Sequence, residues 1–144
     1  MILYQAIIPL NPKTKKNNQD IRFKKAGKSG FYKKTTMGFS YVGIPFVSPS
    51  ETYKQYEKES GWFLLGKPSE PISQPVNVKC IFYRDSDRRC DLTNLLEAID
   101  DILVHYHILA DDNFHIIHSH DGSRVFIDRD KPRTEIVIED VFEI

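Results

Sequence analysis

Apolar and polar positions change their period several times along the chain, and each change marks an element. Residues 2–9 alternate weakly and stop at Pro9, the pattern of a first strand. Residues 11–40 hold no helical period; Asn, Gly and Lys dominate. Short strands around 21–23 and 31–33 suit a hairpin over residues 27–30, and a basic arm suits the composition equally. Residues 41–47 form another short strand. Ser48-Pro49-Ser50-Glu51 then opens a helix, since either serine can cap it and Pro49 falls where a first-turn proline is tolerated. Tyr53, Tyr56, Ser60, Phe63 and Leu64 continue at helical spacing, with a stop near Gly66-Lys67-Pro68. These aromatic residues and Trp62 read as core. Residues 75–83 alternate and are β-branched at the start, which makes a strand. Leu92, Leu95, Leu96, Ile99, Ile102 and Leu103 recur at three and four, one helical stripe. Asp91 caps that helix, which runs to about 105–107. Residues 114–120 and 123–128 read as a hairpin around Asp121-Gly122, and 134–138 as a last strand.

This order of elements predicts an α+β (mixed α/β) domain: a small mixed sheet with two main helices. One domain over residues 1–144 accounts for the whole pattern, with the basic arm or hairpin at about 11–40. Composition agrees: of 144 residues, 40% are hydrophobic and 28% charged. The longest apolar runs fall far short of the ~20 residues a bilayer span needs. The first residues read as a strand and not as a leader. Two cysteines, Cys80 and Cys90, are too few for a disulfide framework. A reduced, cytoplasmic protein is the expectation.

Charge sharpens the picture. The formal net charge is zero, but residues 1–34 carry nine Lys/Arg against one Asp, and residues 85–144 carry fifteen Asp/Glu against six Lys/Arg. A basic segment suits a polyanion and an acidic one a divalent cation. Together they suit a metal-dependent enzyme acting on nucleic acid, although on charge alone both segments read more readily as solvated surface.

Candidate chemistry concentrates in residues 88–112. Asp91, Asn94, Ala98 and Asp101 fall along one face of the second helix. Asp111-Asp112 follows the helix, and a short return loop would bring Asp112 to Asp91 at the helix N-terminus. Two carboxylates that meet in a cleft repel unless a proton or a cation joins them. Mg²⁺ takes one or two carboxylates and fills its remaining positions with water and phosphate oxygens.

The segment Arg89-Cys90-Asp91-Leu92-Thr93-Asn94-Leu95, continued by Ala98, Asp101-Ile102-Leu103 and Asp111-Asp112, resembles the RusA-type Holliday junction resolvases, a phage-derived endodeoxyribonuclease family. The early strand followed by Pro12-Lys13 and the Ser48-Pro49, Tyr53, Tyr56 helix are similar as well. The resemblance implies a homodimer that cuts four-way DNA junctions with Mg²⁺, Mn²⁺ serving as substitute, in DNA recombination and repair. Residue by residue, it implies catalytic and metal-holding roles for Asp91 and Asp112; Asp111 and Glu97 are further candidate ligands from this chain's own residues, Glu97 as a replacement for the second aspartate whose place Thr93 takes. Asn94 and Asp101 stand behind them. Lys13, Lys15, Lys16, Arg88, Arg89 and Lys131 are the candidate contacts to DNA phosphates. No membrane partner is expected.

Two positions depart from the family pattern. Thr93 stands where a second aspartate is common, and Glu97 where a lysine is common. They motivate an alternative: a non-catalytic branched-DNA-binding protein with a decayed site. A third reading, a zinc hydrolase built on His115, His118 and His120, lacks the cysteine pair or the HxxxH helix that would support it. Taken alone, Asp91 is an ordinary cap, Asp111-Asp112 a solvated pair, and Asp100 a solvated acid beside the candidate face.

Overall fold

The computed structural model describes residues 1–15, 19–24, 31–35 and 38–141, with side chains for 1–15, 43, 48 and 50–141. Eight strands and two helices follow one another as β1 (Ile2–Ile8), β2 (Gln19–Lys24), β3 (Phe31–Thr35), β4 (Gly38–Pro49), α1 (Glu51–Gly61), β5 (Val76–Arg84), α2 (Leu92–His105), β6 (Ile117–Ser119), β7 (Arg124–Ile127) and β8 (Arg133–Asp140). This is the expected α+β class: a five-stranded mixed sheet with two helices, joined here by a second sheet of three strands.

β5 is the middle of the main sheet. β8 runs antiparallel on one side of it, with β1 beyond, while β6 and β7 both lie parallel on the other side. Val76, Val78, Cys80 and Phe82 alternate along β5 and are fully buried. The apolar stripe of α2, from Leu95 and Leu96 to Ile102 and Leu103, is buried in the same core with Ile136 and Ile138 of β8. Each such side chain contributes about 1.5–3 kcal/mol of transfer free energy. Cys80 is buried, Cys90 half-buried, and both are free thiols. Among the described residues no helix is long and apolar enough to cross a membrane.

Three local expectations are corrected. First, residues 114–128 do not form a hairpin. β6 pairs with Val76 and Asn77, and β7 with residues 81–84, so both continue one track along β5. The buried Asn77 is the reason. Its Oδ1 accepts from the Asp121 N–H (2.7 Å) and the Ser119 hydroxyl (2.6 Å), and its Nδ2 donates to the Asp121 carbonyl (3.1 Å). These bonds hold the Asp121-Gly122 turn flat against β5, and the Cys80 N–H donates to Ser123 Oγ (3.0 Å) to resume the track.

Second, the first helix stops at Gly61 and not near Gly66. A Cβ at Gly61 would lie 2.4 Å from the Tyr106 ring, whose hydroxyl donates to the Glu57 carbonyl (2.8 Å). The chain turns there, which leaves Trp62 and Leu65 exposed and Phe63 half-buried, whereas Tyr53 and Tyr56 are core. Ser50 is the cap, accepting from the Tyr53 N–H (3.2 Å), and Pro49 ends β4 ahead of it. Third, β2 and β3 do not pair with each other: β4, longer than expected, lies between them.

Candidate functional site

At the β5 end marked by Arg84, the chain passes through a polar loop and enters α2 at Asp91. Asp91 holds the N-cap position in extended backbone, yet its side chain makes no capping hydrogen bond. The Asn94 and Leu95 N–H groups instead donate to its carbonyl (3.1 and 3.2 Å). The exposed carboxylate is therefore not committed to the helix.

Beside it opens a cleft of about 590 Å³ between the segment after β1 and the loop after β5. Lys13, Arg84, Arg88 and Arg89 line it, against the single carboxylate of Asp85. None of these four cations has an ion-pair partner among the described residues. Three bonds shape the cleft. The Asp85 N–H donates to Asn11 Oδ1 (3.0 Å), Arg129 Nη1 donates to the Asp85 carbonyl (3.1 Å), and Arg84 Nη1 donates to the Arg88 carbonyl. Cys90 is in the wall, where partial burial raises its thiol pKa.

The other end of α2 is organised differently. Asp101 binds Lys15 (Oδ2 to Nζ, 2.9 Å), and that ammonium lies 5.9 Å from the centre of the Tyr53 ring. Asp100, one residue earlier, faces β6's continuation. Its Oδ2 is 2.9 Å from His120 Nε2, and His120 Nδ1 is 2.8 Å from the Val78 carbonyl. A carbonyl only accepts, so Nδ1 carries a proton, and a second proton lies between Nε2 and Asp100. Burial raises the Asp100 pKa, with His120 opposing. For His120, burial disfavours the charged ring, but the Asp100 hydrogen bond and charge outweigh it, and the net direction is upward.

Asp112 is placed near this second end. Burial raises its pKa first, then the hydrogen bond and charge of Asp111 and the charge of Asp101. Asp111 is held low, chiefly by accepting the Asp112 N–H (2.7 Å). The expectation that Asp112 returns to Asp91 is not realised within one chain. Asp112 lies between Leu109, bridged to Ile72, and Ile117, paired with Val76, whereas Asp91 follows the opposite end of β5. Ten helical residues from Asp91 to Asp101 also amount to roughly 15 Å of rise. The chain reverses through a tight helix end, with His107 in the left-handed region (φ 62°) and the Ile108 N–H donating to the Leu103 carbonyl (2.9 Å).

Of the other sequence candidates, Asn94 is half-buried and Glu97 exposed on α2. Lys13, Arg88 and Arg89 are brought together in the cleft; Lys15 is paired with Asp101 instead. Lys131 is exposed on the turn where Asp128 accepts from its backbone N–H (3.1 Å), and it is not among the residues that line the cleft. Lys16 lies outside the described residues. Sequence reasoning missed Arg84, which looks like the last polar residue of a strand, and it treated Asp100 as solvated although the side chain is only 13% exposed.

With this geometry in view, the family comparison is decisive. The family model Endodeoxyribonuclease RusA matches residues 9–139. The chain belongs to the RusA family. The match begins just after β1 and runs into the last residues of β8, taking in the cleft residues and both ends of α2. No curated protein matches the chain.

Proposed function

We propose that this RusA-family protein resolves four-way DNA junctions by paired, metal-dependent hydrolysis of phosphodiester bonds. The observation that carries the reading is the cationic cleft, whose wall runs to Cys90, next in the chain to Asp91, whose carboxylate makes no capping bond. Phosphates drawn to the cleft pass in front of a hard oxygen donor. Such backbone contacts carry little sequence information and a strong salt dependence, which suits recognition of DNA shape.

The candidate ligands fit Mg²⁺ or Mn²⁺, because they are all carboxylates. Among the described residues no three His, Cys, Asp or Glu side chains converge to enclose an ion by themselves. That agrees with an ion that keeps several waters and takes substrate oxygens. Asp91 would hold it, with Glu97 on the same helix a further acid; Asp111 and Asp112, at the other end of α2 in one chain, would supply a second donor only across a dimer. When bound, the ion polarises the phosphate and lowers the pKa of an attacking water.

Lys13, Arg88 and Arg89 bind and orient the strand. With a divalent cation bound, Asp91 would fix the reacting phosphate at the helix N-terminus through that ion. The water oxygen bonds to phosphorus, the bond to the 3′ oxygen breaks, and a 5′-phosphate and a 3′-hydroxyl result. A homodimer would place two equal sites on a roughly two-fold junction.

The test is cleavage of a labelled mobile four-way junction, with duplex as control, in Mg²⁺ and in Mn²⁺. Wild type should give paired symmetric nicks. Asp91→Asn should lose them by at least about 100-fold while keeping junction binding, the scale expected for a group holding a catalytic metal. Tight binding without nicks in either metal would instead favour a binding protein marked by Thr93 and Glu97.

A further inference from the structure

We propose that Arg84 is a phosphate-binding residue, the fixed cation at the floor of the cleft, seating a backbone phosphate beside the one at Asp91. The inference rests on the reading of the cleft as a nucleic-acid site. It adds a residue that no motif marks.

Four observations support it. Arg84 is rooted in the central strand: its backbone is paired with Ile127 of β7, and its carbonyl accepts from the Asp128 N–H (2.8 Å). Its side chain is half-buried, whereas Arg88 and Arg89 are exposed on the loop. One Nη is tied to the Arg88 carbonyl, and Nε is buried with no protein partner. The guanidinium is thus already ordered, so binding an anion there costs little further side-chain entropy. Finally, it shares the cleft with Lys13, Arg88 and Arg89 and has no carboxylate partner among the described residues. Four cations gathered this way repel one another, and an anion relieves that repulsion.

The chemistry of the lining also names the ligand class. Among the described residues the cleft walls hold no aromatic ring on which a base could stack. Charge and fork geometry are what it offers, and these match the phosphates of a nucleic-acid backbone. The exposed loop arginines would follow the strand; Arg84 would set where it sits.

The experiment is fluorescence anisotropy of a labelled four-way junction, with Ca²⁺ replacing Mg²⁺ to prevent cleavage, across a salt series. Variants are Arg84→Gln, Arg84→Lys and Arg129→Gln, each checked by thermal melting. Arg129→Gln removes another tie on the same loop without removing a cleft cation. Arg84→Gln should weaken binding about tenfold near 100 mM salt and reduce the log–log salt slope by about one. Arg84→Lys should recover the slope but only part of the affinity. Arg129→Gln should leave the slope unchanged. An unchanged slope in Arg84→Gln overturns the proposal, and so does an equal loss in Arg129→Gln, which would make Arg84 a loop fastener. If wild type nicks the junction in Mg²⁺ while Arg84→Gln keeps its slope, the Arg84 inference fails alone. A wild type that binds no DNA at any salt overturns the functional reading with it.

Discussion

At the start of α2, the exposed Asp91 carboxylate and the exposed or half-buried cleft cations have no ion partners among the described residues. At its end, Asp100 is joined to His120 and Asp101 to Lys15. Both ends concentrate charge, and the same helix supplies both. The difference lies in what the charges are committed to. Paired groups hold one element against another, whereas the exposed set at the N-terminus leaves its interactions open to a ligand. A perturbed pKa is often read as a sign of a functional site. Here raised values mark Asp100 and His120, the pair that secures α2 to the sheet, while Asp91, the residue proposed to act, is exposed.

Replacing one acid at each end should separate the two roles most sharply. Asp100→Ala leaves the half-buried His120 and its bond to Val78 without a counter-charge. Breaking fully buried pairs costs ~3–5 kcal/mol. With the two side chains 13% and 26% exposed, we expect about 2 kcal/mol. Asp91→Ala removes no capping hydrogen bond, so only its favourable placement on the helix dipole is lost, less than about 1 kcal/mol. Urea denaturation of both variants tests this. Equal destabilisation would sink the distinction between a structural end and an open end.

The next effect is in pH. His120 has a folded pKa raised above its unfolded value. Its stabilisation is therefore complete below about 6.5, the unfolded pKa, and is lost as pH rises through the folded value. Asp100 is raised too, so its own ionisation opposes folding at higher pH unless His120 compensates. The gap in stability between wild type and His120→Gln should be about 1–2 kcal/mol at pH 6 and under about 1 kcal/mol at pH 9. A gap that does not change with pH would mean that the ring is held by packing and not by its charge.

These contrasts also explain how far the sequence is legible. α2 and β5 follow from their own spacing, because a helical stripe and an alternating strand are local patterns. The Asp121-Gly122 turn misleads, because the bonds that deny it a hairpin come from Asn77, 44 residues away. Gly61 ends α1 for a reason that lies in Tyr106, on the far side of β5. Asp91, Arg88, Arg89 and Lys13 are legible as a group since the motif is nearly contiguous and Lys13 follows the first strand. Asp100 is not, because its partner arrives on a parallel track twenty residues later. Arg84 is hidden for a simpler cause: a charge at a strand end is the commonest thing a loop boundary can show, and only the fold turns it into a cleft.

The smallest effect bears on a cation that the sequence alone would assign to DNA. Lys15 lies two residues from Lys13, in the same basic run, but its ammonium is 2.9 Å from Asp101 and not in the cleft. Both side chains are part-exposed, at 36% and 27%, so solvent screens the pair and its worth is about 0.2–1 kcal/mol. Lys15→Gln should lower stability by no more than that, and ~0.5 M salt should erase the difference. For DNA the two lysines should part company. Lys13→Gln should reduce the salt slope of junction binding by about one, as expected for a lost phosphate contact, and Lys15→Gln should leave it unchanged. Anisotropy titrations of both variants decide it. A full unit of slope lost in Lys15→Gln would show that Asp101 releases the lysine when DNA arrives, and the boundary between committed and open charge would then run through residue 15 and not between the ends of α2.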